Sequence, residues 1–97
     1  MAYVLEFEVP GDVALYERVK AAIGPEPPSG LLVHLVVKGA HGLRHIEVWD
    51  KAGDHDRFHR ECVEPAVEAV LRSFGFTGPP PAHDHDELDL VDLQIPA

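Results

Sequence analysis

Basic residues are scarce in this sequence, and their scarcity excludes two classes of partner. The 97 residues include 8 lysines and arginines against 17 aspartates and glutamates, which gives a formal net charge of -9. Proteins that bind nucleic acid need a basic surface to neutralise phosphates, and an anionic membrane surface repels a negatively charged chain. We therefore expect neither nucleic acid nor a membrane as partner.

Cysteines, long apolar runs and phosphate-binding loops are also missing or nearly so. Cys62 is the single cysteine, so neither an internal disulfide nor a zinc site of four cysteines can form. No run reaches the roughly 18 apolar residues of a membrane helix. The N-terminal residues alternate and carry two glutamates, unlike a signal peptide, and neither GxGxxG nor GxxxxGK[ST] occurs. We expect a cytoplasmic protein without nucleotide chemistry.

What the sequence does contain is a regular succession of strand and helix patterns. Residues 3–9 alternate in polarity and predict a strand. Asp12 is a favourable N-cap for the helix predicted over residues 13–23, which Gly24 ends. Residues 31–38 and 43–50 predict two further strands, and the short glycine-containing turn between them predicts an antiparallel hairpin.

The C-terminal half repeats the pattern of a helix followed by a strand. A helix is predicted from about Lys51 to about Cys62, followed by a kink or a new helix with Pro65 in its first turn. Leu88 to Ile95 predicts the last strand. The resulting order β-α-β-β-α-β predicts a ferredoxin-like α+β fold, a four-stranded antiparallel sheet with two helices on one face, in a single domain over residues 1–97.

The second strand is apolar on both sides, which leaves one sheet face in need of a cover. The side formed by Leu31, Val33, Leu35 and Val37 is uniformly apolar, and we expect it to lie under the helices. The opposite side carries Leu32, His34, Val36 and Lys38. An exposed apolar patch of this size is typical of an interface, so two such sheets packed together predict a closed dimer.

Polar side chains gather on one side of the central hairpin. His45, Glu47 and Trp49 share one side of the third strand, and Ile46 lies on the other. If the apolar sides of the two strands match, His34 and Glu47 are cross-strand neighbours, with His45 and Trp49 close by. A slip of one residue would instead place His34 opposite Ile46.

Several stretches together resemble the dimeric α+β barrel superfamily. These are "PSGLLVHL" at the second strand, "IEVWD" at the end of the third, and "FHRECVEPAV" in the second helical segment. The likeness is to the antibiotic biosynthesis monooxygenase type, and in particular to small bacterial members with a histidine in the second strand. The resemblance implies a homodimer with facing sheets, and a cavity between sheet and helices or beside the dimer seam. Relatives bind polyketides, haem or small acids there, and some need no cofactor.

Two functions from different classes follow. The first is an enzyme that acts on a small organic molecule by cofactor-free monooxygenation, isomerisation or decarboxylation. His34 and Glu47 are its predicted catalytic residues, and His45 and Trp49 its predicted ligand-binding residues. The second is a non-catalytic homodimer, binding or structural, in which the histidine–glutamate pair only stabilises the hairpin or the seam. No cofactor is predicted, and no dedicated metal site; haem or an adventitious metal ion are left open.

Other histidines and the cysteine have simpler interpretations. His55 and His59 lie four apart, as two metal ligands on a helix can, but without a third ligand we interpret them as a solvated helix face. The stretch "HDHDE" (His83 to Glu87) is interpreted as a polar loop. Cys62 is predicted to be a small hydrophobe on the apolar stripe of the helix.

Overall fold

The computed structural model describes residues 2–78 and 84–96. The elements in chain order are β1 (Tyr3–Val9), α1 (Val13–Ile23), β2 (Leu31–Lys38), β3 (Leu43–Trp49), α2 (Ala52–Phe58), α3 (Glu64–Ser73) and β4 (Asp86–Leu88). A π-helical turn, His59–Val63, joins α2 to α3. The sheet is antiparallel throughout, with strand order β2-β3-β1-β4. This is the predicted ferredoxin-like α+β fold.

The ends of α1 follow directly from local sequence. The Asp12 carboxylate accepts a hydrogen bond of 2.9 Å from the backbone N–H of Leu15, which satisfies one of the free donors of the first helical turn. Gly24 ends the helix with a φ of 104°, a conformation that side chains other than glycine adopt rarely. The predicted bounds of this helix are therefore confirmed.

Pro65 determines the shape of the second helical segment. Proline lacks a backbone donor and crowds the preceding turn of a helix, so it is tolerated in a first turn and not in an interior. The chain accordingly widens into the π-helical turn and restarts as α3 with Pro65 near its beginning. The predicted irregularity near Pro65 is present, but it begins at His59 and not after Cys62. Cys62 lies in that turn and is exposed, so its prediction as a packed hydrophobe was wrong, because the wider turn rotates it off the apolar stripe.

The helices cover the sheet face opposite to the one predicted. The Trp49 ring lies 5.6 Å from the His55 ring and 5.8 Å from the Phe58 ring of α2, and Tyr16 of α1 meets the His45 ring edge-on at 5.7 Å. The prediction that Val33, Leu35 and Val37 lie under the helices was wrong, whereas Leu31 pairs with Trp49 and so lies on the helix-covered side.

The side chains of the two central strands, β1 and β3, show which sheet face the helices cover. Leu5 and Trp49, both only 1% exposed, are the largest fully buried side chains, and they lie on the helix-covered face. Leu35 and Val37, on the other face, are 51% and 46% exposed. The face with Leu5 and Trp49 is therefore the one that the helices cover, although Val4 and Val48 at the centre of the other face are also buried.

The register of the hairpin departs from the predicted one only at its start. Leu31 pairs with Trp49 and Val33 with Val48, so Leu32 is an extra residue in β2. From His34 onward the strands pair as predicted.

The last strand is much shorter than predicted. It comprises three residues, which pair with Val4 to Glu6 of β1, and residues 89–96 have no regular secondary structure. The prediction of a strand from Leu88 to Ile95 was wrong because β1 begins at Tyr3, and the chain beyond residue 89 runs past the end of its partner. In the described residues, no helix is long and apolar enough to cross a bilayer.

Leu5 gives a direct test of this core. Leu5→Ala removes a side chain that is 1% exposed at the centre of the sheet, and we expect it to lower the free energy of unfolding by about 2–5 kcal/mol. Val91→Ala, at a residue 96% exposed, should change it by less than about 0.5 kcal/mol. Urea denaturation followed by circular dichroism measures both, and equal losses would contradict this account of the core.

Candidate functional site

His34 and Glu47 are paired across the hairpin. They are directly opposite in the register of β2 and β3, and His34 Nε2 lies 3.4 Å from Glu47 Oε2. The His34 side chain is 28% exposed and that of Glu47 is 12% exposed. Since β2 is an edge strand of the sheet, the imidazole is reached from solvent at that edge while the carboxylate lies further inside.

Both residues lie on the helix-covered face. The sequence pattern predicts the opposite, open face for them. In the register, Val36 pairs with His45, and His45 in turn contacts Tyr16 of α1, so this side of the hairpin faces the helices. The expectation that His34 lies outside the helix-covered layer was therefore wrong. The prediction that His34, His45, Glu47 and Trp49 share one side of the sheet is confirmed by the register and the contacts between them.

His45 joins the pair by a direct hydrogen bond between the two rings. His34 Nε2 and His45 Nδ1 are 3.0 Å apart, and which ring donates depends on the tautomers. The Phe7 ring stacks on His45 at 4.7 Å with an angle of 8° between planes, and Tyr16 closes the other side edge-on. Sequence reasoning did not assign Phe7 and Tyr16 to the site, although each lies on a predicted apolar face of its element. Together they fix the orientation of the His45 ring.

Trp49 holds the Glu47 carboxylate in place. Its indole Nε1–H donates a hydrogen bond of 2.9 Å to Glu47 Oε1, while the other carboxylate oxygen faces His34. The indole itself is buried against α2. A carboxylate whose one oxygen is held by a buried donor has little freedom to rotate away from the imidazole.

The environment lowers the pKa of His34 below its usual value of 6.5. Burial is the largest cause, because it disfavours the charged imidazolium, and the positive charge of Lys20 acts in the same direction. The negative charge of Glu47 opposes both by favouring the imidazolium. The imidazole is therefore neutral at pH 7 and can accept a proton.

The cluster also has the composition of a metal-ligand set. His34, His45 and Glu47 each offer one ligand atom, and these three atoms lie within 4.8 Å of one another. Two imidazoles and a carboxylate suit zinc and other divalent transition metals.

Two open clefts on the surface lie away from this cluster. The larger, of about 420 Å³, lies between the start of α1 and the turn that joins β2 to β3, and is lined by residues that include Asp12 and Lys38. The smaller, of about 160 Å³, is lined by residues of β1, β3 and β4 that include Glu6 and Arg44. Neither is lined by His34 or Glu47.

His55, one of the other histidines considered in the sequence analysis, packs among aromatic rings. His55 is 8% exposed, among the rings of Tyr3, Trp49 and His59, so its interpretation as part of a solvated face was wrong. Among residues 2–78 and 84–96, no third ligand completes a metal set with His55 and His59. Helix α2 packs this side against Trp49, which is why the ring is buried.

The stretch from His83 to Glu87, which was predicted to be a polar loop, only partly matches that prediction. In "HDHDE", His83 lies outside the described residues, and Asp86 and Glu87 belong to β4 and not to a loop. On the sheet face opposite to His34, Glu6 Oε1 lies 3.1 Å from Arg44 Nε.

Comparisons with known proteins identify the fold. No family model matches the sequence, and no curated protein matches it. The structure of Rv0793 from Mycobacterium tuberculosis aligns with a TM-score of 0.54 at 18% identity, over 94% of each chain. SnoaB, a cofactor-independent oxygenase from Streptomyces nogalater, aligns with a TM-score of 0.45 at 20% identity, over 95% of this chain and 93% of its own.

Likeness at this level of identity concerns the fold and not the activity, since one fold carries many functions. The Rv0793 alignment spans nearly the whole chain, which agrees with the α+β architecture described above. The resemblance drawn from the sequence is confirmed at the level of the fold: this protein shares the small ferredoxin-like α+β fold of Rv0793.

Proposed function

We propose that this protein is an enzyme that removes a proton from a small organic molecule, with His34 as the base and Glu47 as its partner. The observation that carries the proposal is the pairing of His34 Nε2 with the Glu47 carboxylate on the helix-covered face, beside an edge that solvent reaches. An imidazole whose one nitrogen is held by a carboxylate has its other nitrogen oriented for proton transfer.

The chemical step follows from this arrangement. With the Nε2–H of His34 directed at Glu47 and His45, Nδ1 is the nitrogen that takes the proton. Removal of a proton from a carbon next to a carbonyl leaves the C–H electron pair in an enolate and the proton on Nδ1. The charge of Glu47 stabilises the imidazolium so formed. Returning the proton to a different carbon completes an isomerisation, and a cofactor-free oxygenation, with dioxygen as co-substrate, would begin with the same step.

His45 and Trp49 are assigned to position the pair and to shape the ligand site. Trp49 fixes the carboxylate through Oε1, and in this tautomer His45 Nδ1 accepts a hydrogen bond from the same Nε2–H of His34 that faces Glu47. The Trp49 ring is buried and acts through the carboxylate, whereas the half-buried rings of His45, Phe7 and Tyr16 give the cluster an apolar wall suited to a flat organic molecule.

A non-catalytic binding or structural protein is the second candidate. It is favoured by the position of the two clefts, neither of which is lined by His34. In that case the imidazole–carboxylate pair stabilises the hairpin and performs no reaction.

In either case we propose a homodimer formed through the open sheet face. Leu35 and Val37 are about half exposed on the side away from the helices, in a chain small enough to gain much from a shared core. A second copy of the same face supplies a matching apolar surface, and such isologous contacts are the commonest basis of dimers.

The dimer is tested by light scattering at micromolar concentration. We expect twice the 10.7 kDa mass of one chain. Val37→Asp should shift the mass toward the monomer, because it places a charge in the apolar contact. Val13→Asp is the matched control, since Val13 is 45% exposed at the start of α1 and Val37 is 46% exposed. A monomeric wild-type protein would contradict the proposal.

Proton abstraction is tested by exchange in D₂O in the presence of a chelator. A panel of enolisable ketones and hydroxyaromatic compounds is followed by ¹H NMR for loss of acidic C–H signals. We expect at least one compound to exchange faster with the wild-type protein than with His34→Ala, by about 10²- to 10⁴-fold, the usual contribution of a general base. Cys62→Ala, an exposed residue away from the pair, is the control. Equal exchange with the wild-type protein and with His34→Ala would contradict the proposal, and the non-catalytic protein would then be the remaining candidate.

The pKa of His34 gives a separate test by NMR titration of the chelator-treated protein. We expect a midpoint below 6.5, so that a rate dependent on neutral His34 rises as the pH rises through that midpoint and then stays level. Glu47→Gln should lower the pKa further, because it removes the charge that favours the imidazolium. Lys20→Gln should raise it. Shifts of the opposite sign would contradict the assigned electrostatics.

A further inference from the structure

We infer that His34, His45 and Glu47 form a binding site for a divalent transition-metal ion of the zinc class, and that the bound ion switches off the proposed base. Metal binding does not depend on the proposed function, whereas the inhibition by the bound ion rests on the proposed function. The inference begins from the three ligand atoms, which lie within 4.8 Å of one another.

Two of the three spacings between the ligand atoms are close to those around a tetrahedral ion. Two ligands that are each about 2.1 Å from a tetrahedral zinc ion lie about 3.4 Å from each other. His34 Nε2 is 3.0 Å from His45 Nδ1 and 3.4 Å from Glu47 Oε2. The third pair of ligand atoms lies within 4.8 Å, so modest shifts of the side chains let one ion bind all three and leave the fourth position for water or a ligand.

The surrounding residues already orient the ligand atoms. The Trp49 indole donates to Glu47 Oε1, so the carboxylate is held while Oε2 points toward the two imidazoles. The His45 ring is held between Phe7, stacked on it, and Tyr16. Such outer partners raise metal affinity because they fix the ligand orientation before the ion binds.

The ion would act on His34 through its tautomer. In the metal-free protein one of the two imidazoles donates the hydrogen bond between His34 and His45. When an ion takes the Nε2 lone pair of His34, the ring hydrogen must lie on Nδ1, which is the nitrogen assigned to accept the substrate proton. The bound ion thus removes the base without reaching the substrate, and a chelator restores it.

One charge opposes the ion. Lys20 on α1 is close enough to act electrostatically on His34, and its ammonium repels a cation there. This gives a test of sign: Lys20→Gln should tighten metal binding, whereas loss of any ligand should weaken it.

The experiment is a Co²⁺ titration of the full, tag-free chain. Co²⁺ takes the place of zinc, and its visible absorption bands report on the geometry and number of its ligands. We expect one Co²⁺ per chain, displaced by Zn²⁺, with quenching of fluorescence from Trp49, the sole tryptophan. Absence of Co²⁺ and Zn²⁺ binding to the wild-type protein would overturn the inference.

Variants locate the site. His45→Phe keeps an aromatic ring between Phe7 and Tyr16, and Glu47→Gln keeps the size of the side chain, so both should fold, which circular dichroism checks. Each should weaken Co²⁺ binding by more than about tenfold. His41→Ala, in the exposed turn between β2 and β3, should bind like the wild type. Loss of binding in His59→Ala with no effect of His45→Phe would place the ion at the π-helical turn after α2 and overturn the inference.

The two proposals fail separately. Metal binding is read from spectra without any substrate, and proton exchange is measured with chelator present. Exchange that Zn²⁺ abolishes and chelator restores supports both. Binding without exchange refutes only the base, and exchange without binding refutes only the metal site. Exchange that continues unchanged at saturating Zn²⁺ refutes the switch.

Discussion

The Trp49 indole connects the core of this protein to its polar cluster. The ring is 1% exposed and packs against His55 and Phe58 of α2, while its N–H donates to Glu47. The same side chain thus fastens a helix to the sheet and fixes the carboxylate that faces His34. A buried tryptophan needs a partner for its N–H, and here the partner is a carboxylate of the candidate site.

The two sheet faces have different roles because of this arrangement. The helix-covered face carries the buried aromatic rings and, at the edge strand β2, the cluster of His34, His45 and Glu47. The open face is apolar apart from charged pairs such as Glu6 with Arg44. Proton transfer or metal binding is therefore proposed between sheet and helices, and association with a second copy on the outside. A ligand or metal ion and a second copy of the chain therefore need not compete for the same surface.

Periodicity was sufficient for most elements, and two kinds of error have physical causes. The bounds of β1, α1 and β2 were predicted from alternation, from the Asp12 cap and from glycine, all of which act within a few residues. The last strand was predicted too long, because strand length depends on how far the partner extends, and β1 begins at Tyr3. Cys62 was misplaced because a π-helical turn rotates the residues near Pro65.

The sequence by itself determined the order of elements and the neighbours in the site. Alternation puts His45, Glu47 and Trp49 on one side of β3, and the hairpin register puts His34 opposite Glu47. Only the tertiary structure decided which side of the sheet the helices cover, and hence that this cluster lies on the helix-covered side. Both sides of β2 are apolar, so its pattern does not distinguish them. The choice depends on the burial of Leu5 and Trp49 under the helices, with Trp49 packed against Phe58 of α2.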